Sequence, residues 1–254
     1  MTGSRVVASC CFAFFILPLM SAAQSNLPNG DLSTKAGFAP TISARQLRIP
    51  DKARRAFNKG TRRLAARDWA RSIPEFQKAI KAFGGLYEAY YKIGVAQLEL
   101  QQRGEAETAF RKAIELSEGR YAPALLGLGL ALGSRELFAE AEAAARAGLD
   151  LEPTGAGGYF TMAWVLFHAG RVPEAEECAR QGMLYDPSLP MAHLLLAQIH
   201  HRQNNRAALV EDLDTYLRLE PNGPHSGALR TICQQARQTL ARENAASVAA
   251  KSSQ

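Results

Sequence analysis

From residue 53 to 223 apolar side chains return on a helical spacing, and glycine, asparagine and proline interrupt the pattern at regular places. The interruptions have their own period. Pro153, Pro187 and Pro221 stand 34 residues apart, as do Gly60 and Gly94 and the segments KAIKAFGG (78–85) and KAIELSEG (112–119). A fixed period of this length marks a repeat architecture, in which one supersecondary unit is copied along the chain. Five repeats share one register: 53–86, 87–121, 122–155, 156–189 and 190–223. Each reads as a pair of helices.

The residue types have physical reasons. Gly60, Gly94, Gly129, Ala163 and Ala197 put a small residue where the second helix crosses the first at close range. Ala106, Ala141 and Ala175 do the same on the second helix. The recurring proline lacks an N–H and keeps the residue before it out of helical geometry, so it ends the second helix on schedule. Pro173 falls where a helix begins, and Asn204-Asn205 fills the matching turn with a residue that tolerates left-handed geometry. Pro74 lies inside the second helix of the first repeat and predicts a short or bent first turn. Beyond the repeats, Leu229, Ile232, Cys233, Ala236 and Leu240 form a one-sided stripe, which predicts a cap helix over 224–243 and a frayed tail over 244–254.

A 34-residue helix–turn–helix resembles the tetratricopeptide repeat, whose pattern is W-x2-L-G-x2-Y, then A-x3-F, then P. The second repeat carries Tyr90, Ile93-Gly94, Ala106, Phe110 and Ala113; the fourth carries Tyr159, Met162-Ala163, Ala175, Ala179 and Pro187. The first departs most, with Gly84 where proline is expected. The resemblance spans roughly residues 50–243. It implies an all-α, right-handed superhelical solenoid of about five repeats plus a C-terminal cap helix. In this family the first helices line a concave groove that holds a peptide or helix. Carried across in register, the groove-facing residues are Phe57, Leu64, Tyr91, Val95, Leu98, Leu126, Leu130, Phe160, Trp164, Phe167, Leu194 and His201. Chaperone-binding members line the groove with Lys, Arg and Asn to clamp a carboxylate; here these positions are mostly apolar. An exposed apolar strip suits an amphipathic helix or extended apolar segment.

Composition changes this picture at the N-terminus. Arg5, the apolar run Val6–Met20 and the small triplet Ser21-Ala22-Ala23 have the three-part order of a secretory signal peptide, expected to be cleaved after Ala23; an uncleaved anchor is the other reading. Residues 24–48 read as a linker. A periplasmic or secreted chain follows, with membrane association left open. Cys178 and Cys233 are then the two cysteines of the mature chain, read as buried free thiols or a single bridge. The net charge of +6 is uneven: ten Lys or Arg stand between Arg45 and Arg71, against two acids. On α-helical register Arg54, Arg55, Lys59, Arg62 and Arg63 form a basic face, either a solvated surface or a contact for an anionic partner.

Enzyme motifs are sparse: there is no phosphate loop of the G-x-x-x-x-G-K-[ST] kind and no G-x-S-x-G elbow. GLGLALG (127–133) lies within a helix rather than after a strand, so its glycines read as packing. The five histidines show no ligand spacing, and no nucleophile–base set can be assigned. The expectation is a non-catalytic scaffold that binds another protein, without cofactor, metal or nucleic acid. The alternative is a self-assembling or envelope-associated structural element that uses the basic N-terminal face.

Overall fold

Arg67, Gln101, Glu136, Gly170 and Asn204 all have positive φ, between 58° and 84°. They stand 34, 35, 34 and 34 residues apart. Each closes the first helix of a repeat in the same way. Gln101 N–H donates to the Leu98 carbonyl and Gln102 N–H to the Gln97 carbonyl; the pairs Arg67/Asp68, Gly170/Arg171 and Asn204/Asn205 repeat this. This is a Schellman closure, which satisfies the orphan carbonyls of the helix end. Four of the five residues are not glycine, and each non-glycine residue bears about 1–2 kcal/mol of left-handed strain. The turn is imposed by the stacking of the two helices rather than by local preference.

The computed structural model describes residues 49–252 apart from Pro224. The expected signal peptide (1–23) and linker (24–48) lie outside the described residues. Those described are all-helical, and they divide into two compact units, one ending at Ala131 and one beginning at Leu132. The N-terminal unit contains α1 (Asp51–Ala65), α2 (Trp69–Ala82), α3 (Tyr87–Glu99), α4 (Arg103–Leu116) and most of α5 (Ala122–Gly133). There α1 packs on α2, α2 on α3 and α3 on α4. The C-terminal unit contains α6 (Phe138–Leu151), α7 (Ala156–His168), α8 (Val172–Tyr185), α9 (Pro190–Arg202), α10 (Arg206–Leu219) and α11 (Ser226–Ser252). There each helix packs on the next from α6 to α11. No helix among the described residues is long and apolar enough to cross a membrane.

The small residues sit at helix crossings. A Cβ on Gly60 would lie 2.8 Å from the Phe76 ring, and one on Gly94 would lie 2.7 Å from the Phe110 ring. Each phenylalanine is fully buried against the bare backbone opposite it. Glu152, Asp186 and Glu220, the residues before the recurring prolines, have non-helical backbones with ψ of 75°, 91° and 66°. All three lie outside the helical region, which the following proline disfavours in its predecessor. The one extra residue in the spacing falls in the five-residue connection Ser117–Tyr121, where the comparable connections 83–86, 152–155 and 186–189 have four.

Two expectations differ from the structure. The shortening expected at Pro74 is not found: α2 is 14 residues long, the same as α4, α6 and α8, and runs through Pro74. A proline at the sixth position removes a single intrahelical donor, and the burial of Ser72, Glu75, Phe76 and Ala79 holds the helix together. α11 continues to Ser252, so 244–252 is helical where a frayed tail is expected. Leu229, Cys233 and Ala236 seat its first half against Leu209, Leu213 and Tyr216 of α10. An Arg206–Glu243 ion pair of 3.0 Å extends that seating, and the alanine-rich remainder has high helix propensity.

The crossings give a direct test. Gly94→Ala should destabilise the chain by about 1–3 kcal/mol in urea unfolding, because the Phe110 ring has nowhere to move. Gly104→Ala, with open space around its Cβ, should be neutral or slightly stabilising. A Gly94→Ala chain as stable as wild type would show that the ring yields.

Candidate functional site

Ten of the twelve groove-facing residues are buried: Phe57, Leu64, Tyr91, Val95, Leu98, Leu126, Leu130, Phe160, Trp164 and Leu194. They do not form the open apolar strip expected. The rings show one physical reason. Phe57 meets Phe76 edge-on at 5.5 Å, and Tyr91 packs between Phe110 at 6.0 Å and Tyr121 at 5.5 Å. Such aromatic contacts gain more than solvent exposure would.

Phe167 stays partly exposed and His201 exposed. They sit at equivalent positions near the ends of α7 and α9, whose packing brings the two ends together. Beside them the Arg202 guanidinium lies 5.7 Å from the Phe167 ring centre, within cation–π range. The His168 ring lies 4.4 Å from Trp164 and 5.4 Å from Phe167. Desolvation against these rings, then the Arg202 charge, hold the His168 pKa below its ordinary value. The result is an aromatic rim with a fixed positive charge, which can take an apolar side chain and a carboxylate together.

The basic face divides. Lys59, Arg63 and Lys78 converge on the buried Glu75 at 3.0, 3.5 and 3.3 Å. Hydrogen bonding from Lys59 is the main reason the Glu75 pKa is lowered. Arg54 pairs with Asp51 at 2.5 Å. Arg55 and Arg62 are exposed. Three of the five predicted basic residues are therefore partly engaged in intramolecular pairs.

Sequence reasoning missed two buried features. Lys92, on α3, is 6% exposed, and its ammonium lies 5.4 Å from the centre of the Tyr91 ring. Desolvation lowers its pKa. The second feature joins three helices. His200 Nδ1 lies 2.7 Å from Asp212 Oδ2, and His193 Nδ1 lies 3.6 Å from Asp212 Oδ1. His193 Nε2–H donates to the Pro187 carbonyl at 3.0 Å. His200 Nε2 faces Glu176 at 3.5 Å, and Glu176 also takes Arg180 at 2.7 Å and the Gln203 amide at 2.7 Å. Both histidines fall on positions the repeat pattern uses for packing, so their spacing gave no sign that an acid on α10 faces them. No group of three or more His, Cys, Asp or Glu among the described residues is arranged to hold a metal. Cys178 is half-buried and Cys233 buried, both as free thiols.

The helix pairs and their packing define the class: an all-α solenoid of helix-hairpin repeats. The tetratricopeptide-repeat family model matches residues 57–123, 91–156 and 160–225, and the chain belongs to that family. No curated protein matches the chain. Solved structures share the fold at low identity. A thermophilic TPR protein of Thermus thermophilus matches with a TM-score of 0.66 and 16% identity, over 73% of this chain and 99% of its own. MamA from Desulfovibrio magneticus RS-1 matches with a TM-score of 0.52 and 19% identity, over 69% and 99%. Yeast Tom70 matches with 0.58 and 15%, over 74% of this chain and 40% of its own. Membership makes the chain a protein–protein interaction scaffold.

The histidine cluster carries a pH dependence. The Asp212 carboxylate, helped by the Pro187 carbonyl, holds the His193 pKa above its ordinary 6.5, against desolvation and the Arg218 charge. A raised histidine pKa adds stability that is complete below 6.5 and is lost as pH climbs through the folded value. The melting-temperature difference between wild type and His193→Gln should therefore be largest in mild acid and shrink as pH rises. A difference that grows with pH would show that His193 is neutral in the fold.

Proposed function

We propose that this non-catalytic scaffold binds a peptide or helix of a partner protein at the accessible rim formed by the ends of α7 and α9. One observation carries the reading: of the twelve row residues, Phe167 and His201 stay accessible, and Arg202 is stacked beside them. The rim's chemistry favours a segment with an apolar or aromatic side chain next to an acid. The buried Phe160, Trp164 and Leu194 on the same two helices give the rim a rigid support, as hot-spot residues require.

A peptide array offering acidic–aromatic sequences, probed with the purified chain, tests this. Phe167→Ala and Arg202→Glu should each reduce retained chain about tenfold or more, with unchanged helicity. Arg242→Glu, exposed on α11, should have no effect. Retention by Arg202→Glu equal to wild type would overturn the rim as the site.

The envelope is the location we propose, on the order of residues 1–23 in the sequence. N-terminal sequencing of chain recovered from its host should begin at Gln24; a start at Met1 would sink cleavage. A second reading, attachment to an anionic surface through the basic face, is favoured by the exposed Arg55 and Arg62. It requires binding to anionic vesicles that falls steeply with salt.

A further inference from the structure

The two units carry opposite charge. Residues 49–131 hold fifteen basic and nine acidic side chains, whereas residues 132–254 hold eleven basic and fourteen acidic. The negative charge is not spread evenly. Glu152, Asp186 and Glu220 cap the C-terminal ends of α6, α8 and α10, at equivalent places in three successive repeats. Asp150 adds a fourth acid, exposed, in the last turn of α6.

Acids at helix C-termini oppose the usual arrangement. The last turn of a helix already carries about half a negative charge, and a basic residue there is stabilising. Neither α6 nor α8 has a basic residue in its last turn. Local structure accounts for part of this: Asp186 Oδ1 accepts from the Ser188 N–H at 2.9 Å and hydroxyl at 2.7 Å. It does not account for Asp150 or Glu152. The end of α10 differs, since Arg218 lies in its last turn and Arg230 donates to the Pro221 carbonyl. The negative edge is therefore concentrated on α6 and α8.

The ends of α6 and α8, which both lie against the first turn of α7 through Glu152 and Gly182, also expose apolar surface. Leu184 is 74% exposed, Tyr185 46% and Leu151 44%. These are three of the five large hydrophobic residues exposed among the described residues. Tyr185 is held in place by stacking on Tyr159 of α7 at 5.4 Å. Each of these ends sets acids next to leucine or tyrosine in sequence, Asp150-Leu151-Glu152 and Leu184-Tyr185-Asp186, which suits long basic side chains whose stems cover the apolar carbons while the charged heads meet the carboxylates. A guanidinium also stacks well on a tyrosine face.

The chain carries such a surface. Lys52, Arg55, Arg62, Arg67 and Lys81 are exposed on α1, α2 and the turn between them, and no ion pair engages them among the described residues. We propose that the α6–α8 edge docks the basic α1–α2 face of a second copy of this chain, head to tail. Charge complementarity picks the second copy over a foreign basic helix, because the matching surface is already present at equal concentration. The contact is heterologous, so one docking leaves a free edge and a free face, and the assembly extends or closes into a ring. The peptide rim at Phe167 and Arg202 takes no part, so the two readings fail separately.

Sedimentation velocity on the purified full chain tests the idea. Wild type should associate with rising concentration at low salt and become monomeric at ~1 M salt, where the Debye length is about 3 Å. Asp150→Lys with Glu152→Lys, and separately Arg55→Glu with Arg62→Glu, should each be monomeric with wild-type helicity. An equimolar mixture of the two variants should associate again, because the acidic edge of the second meets the basic face of the first. The proposal is overturned if wild type stays monomeric at low salt. It is overturned equally if association survives either reversal, or if the mixture stays monomeric, and a free basic peptide binding the edge in that case would assign it to a foreign partner.

Discussion

Everything in this molecule depends on how closely two helices can cross. Gly60 and Gly94 have no side chain, and the rings of Phe76 and Phe110 lie where a Cβ would be. That contact fixes the distance between the helices of a hairpin. The distance fixes the turn, and the turn must then adopt left-handed geometry even at Arg67, Gln101 and Glu136. Burial of a phenylalanine is worth about 1.5–3 kcal/mol, enough to offset the strain of one such residue. Packing here selects backbone conformation, which reverses the usual order of local preference first and tertiary contact second.

The repeat was legible because its causes are local. Small residues at crossings and prolines after helices are single-residue signals, and the 34-residue interval makes them additive. Even the irregular interval, from Gly94 to Gly129, could be read, and the structure places its extra residue in the Ser117–Tyr121 connection. The interaction site was less legible. Whether Tyr91 or Trp164 faces solvent depends on which neighbour covers it, and that neighbour is remote in sequence. The helical register of the row could be read; its burial could not. Pro74 misled for a related reason: the penalty of an internal proline is local, but the burial that outweighs it is not.

Charge was legible as a sum and illegible as pairs. The concentration of Lys and Arg in the first repeat stands out in the sequence, but its partial neutralisation by Glu75 depends on α2 crossing α1. An acid also precedes each of the recurring prolines in the sequence, at Glu152, Asp186 and Glu220. Their meaning changes once the helices stack, since equivalent positions in neighbouring repeats become neighbours in space.

Glu75 and Asp212 occupy the same place in the first and last repeats, where the three between have Ala109, Ala144 and Cys178. Each is buried and held by basic partners, Glu75 by lysines and an arginine, Asp212 by histidines. The two ends therefore answer to opposite ends of the pH scale. Glu75, with its pKa lowered from 4.5, supports the first hairpin at neutral pH and releases it as acid protonates the carboxylate. His193, with its pKa raised, supports the last hairpin in mild acid and weakens as the medium turns alkaline. A repeat protein that frays from its ends would thus open at its N-terminus in acid and at its C-terminus in base, leaving the interior repeats as the common remnant.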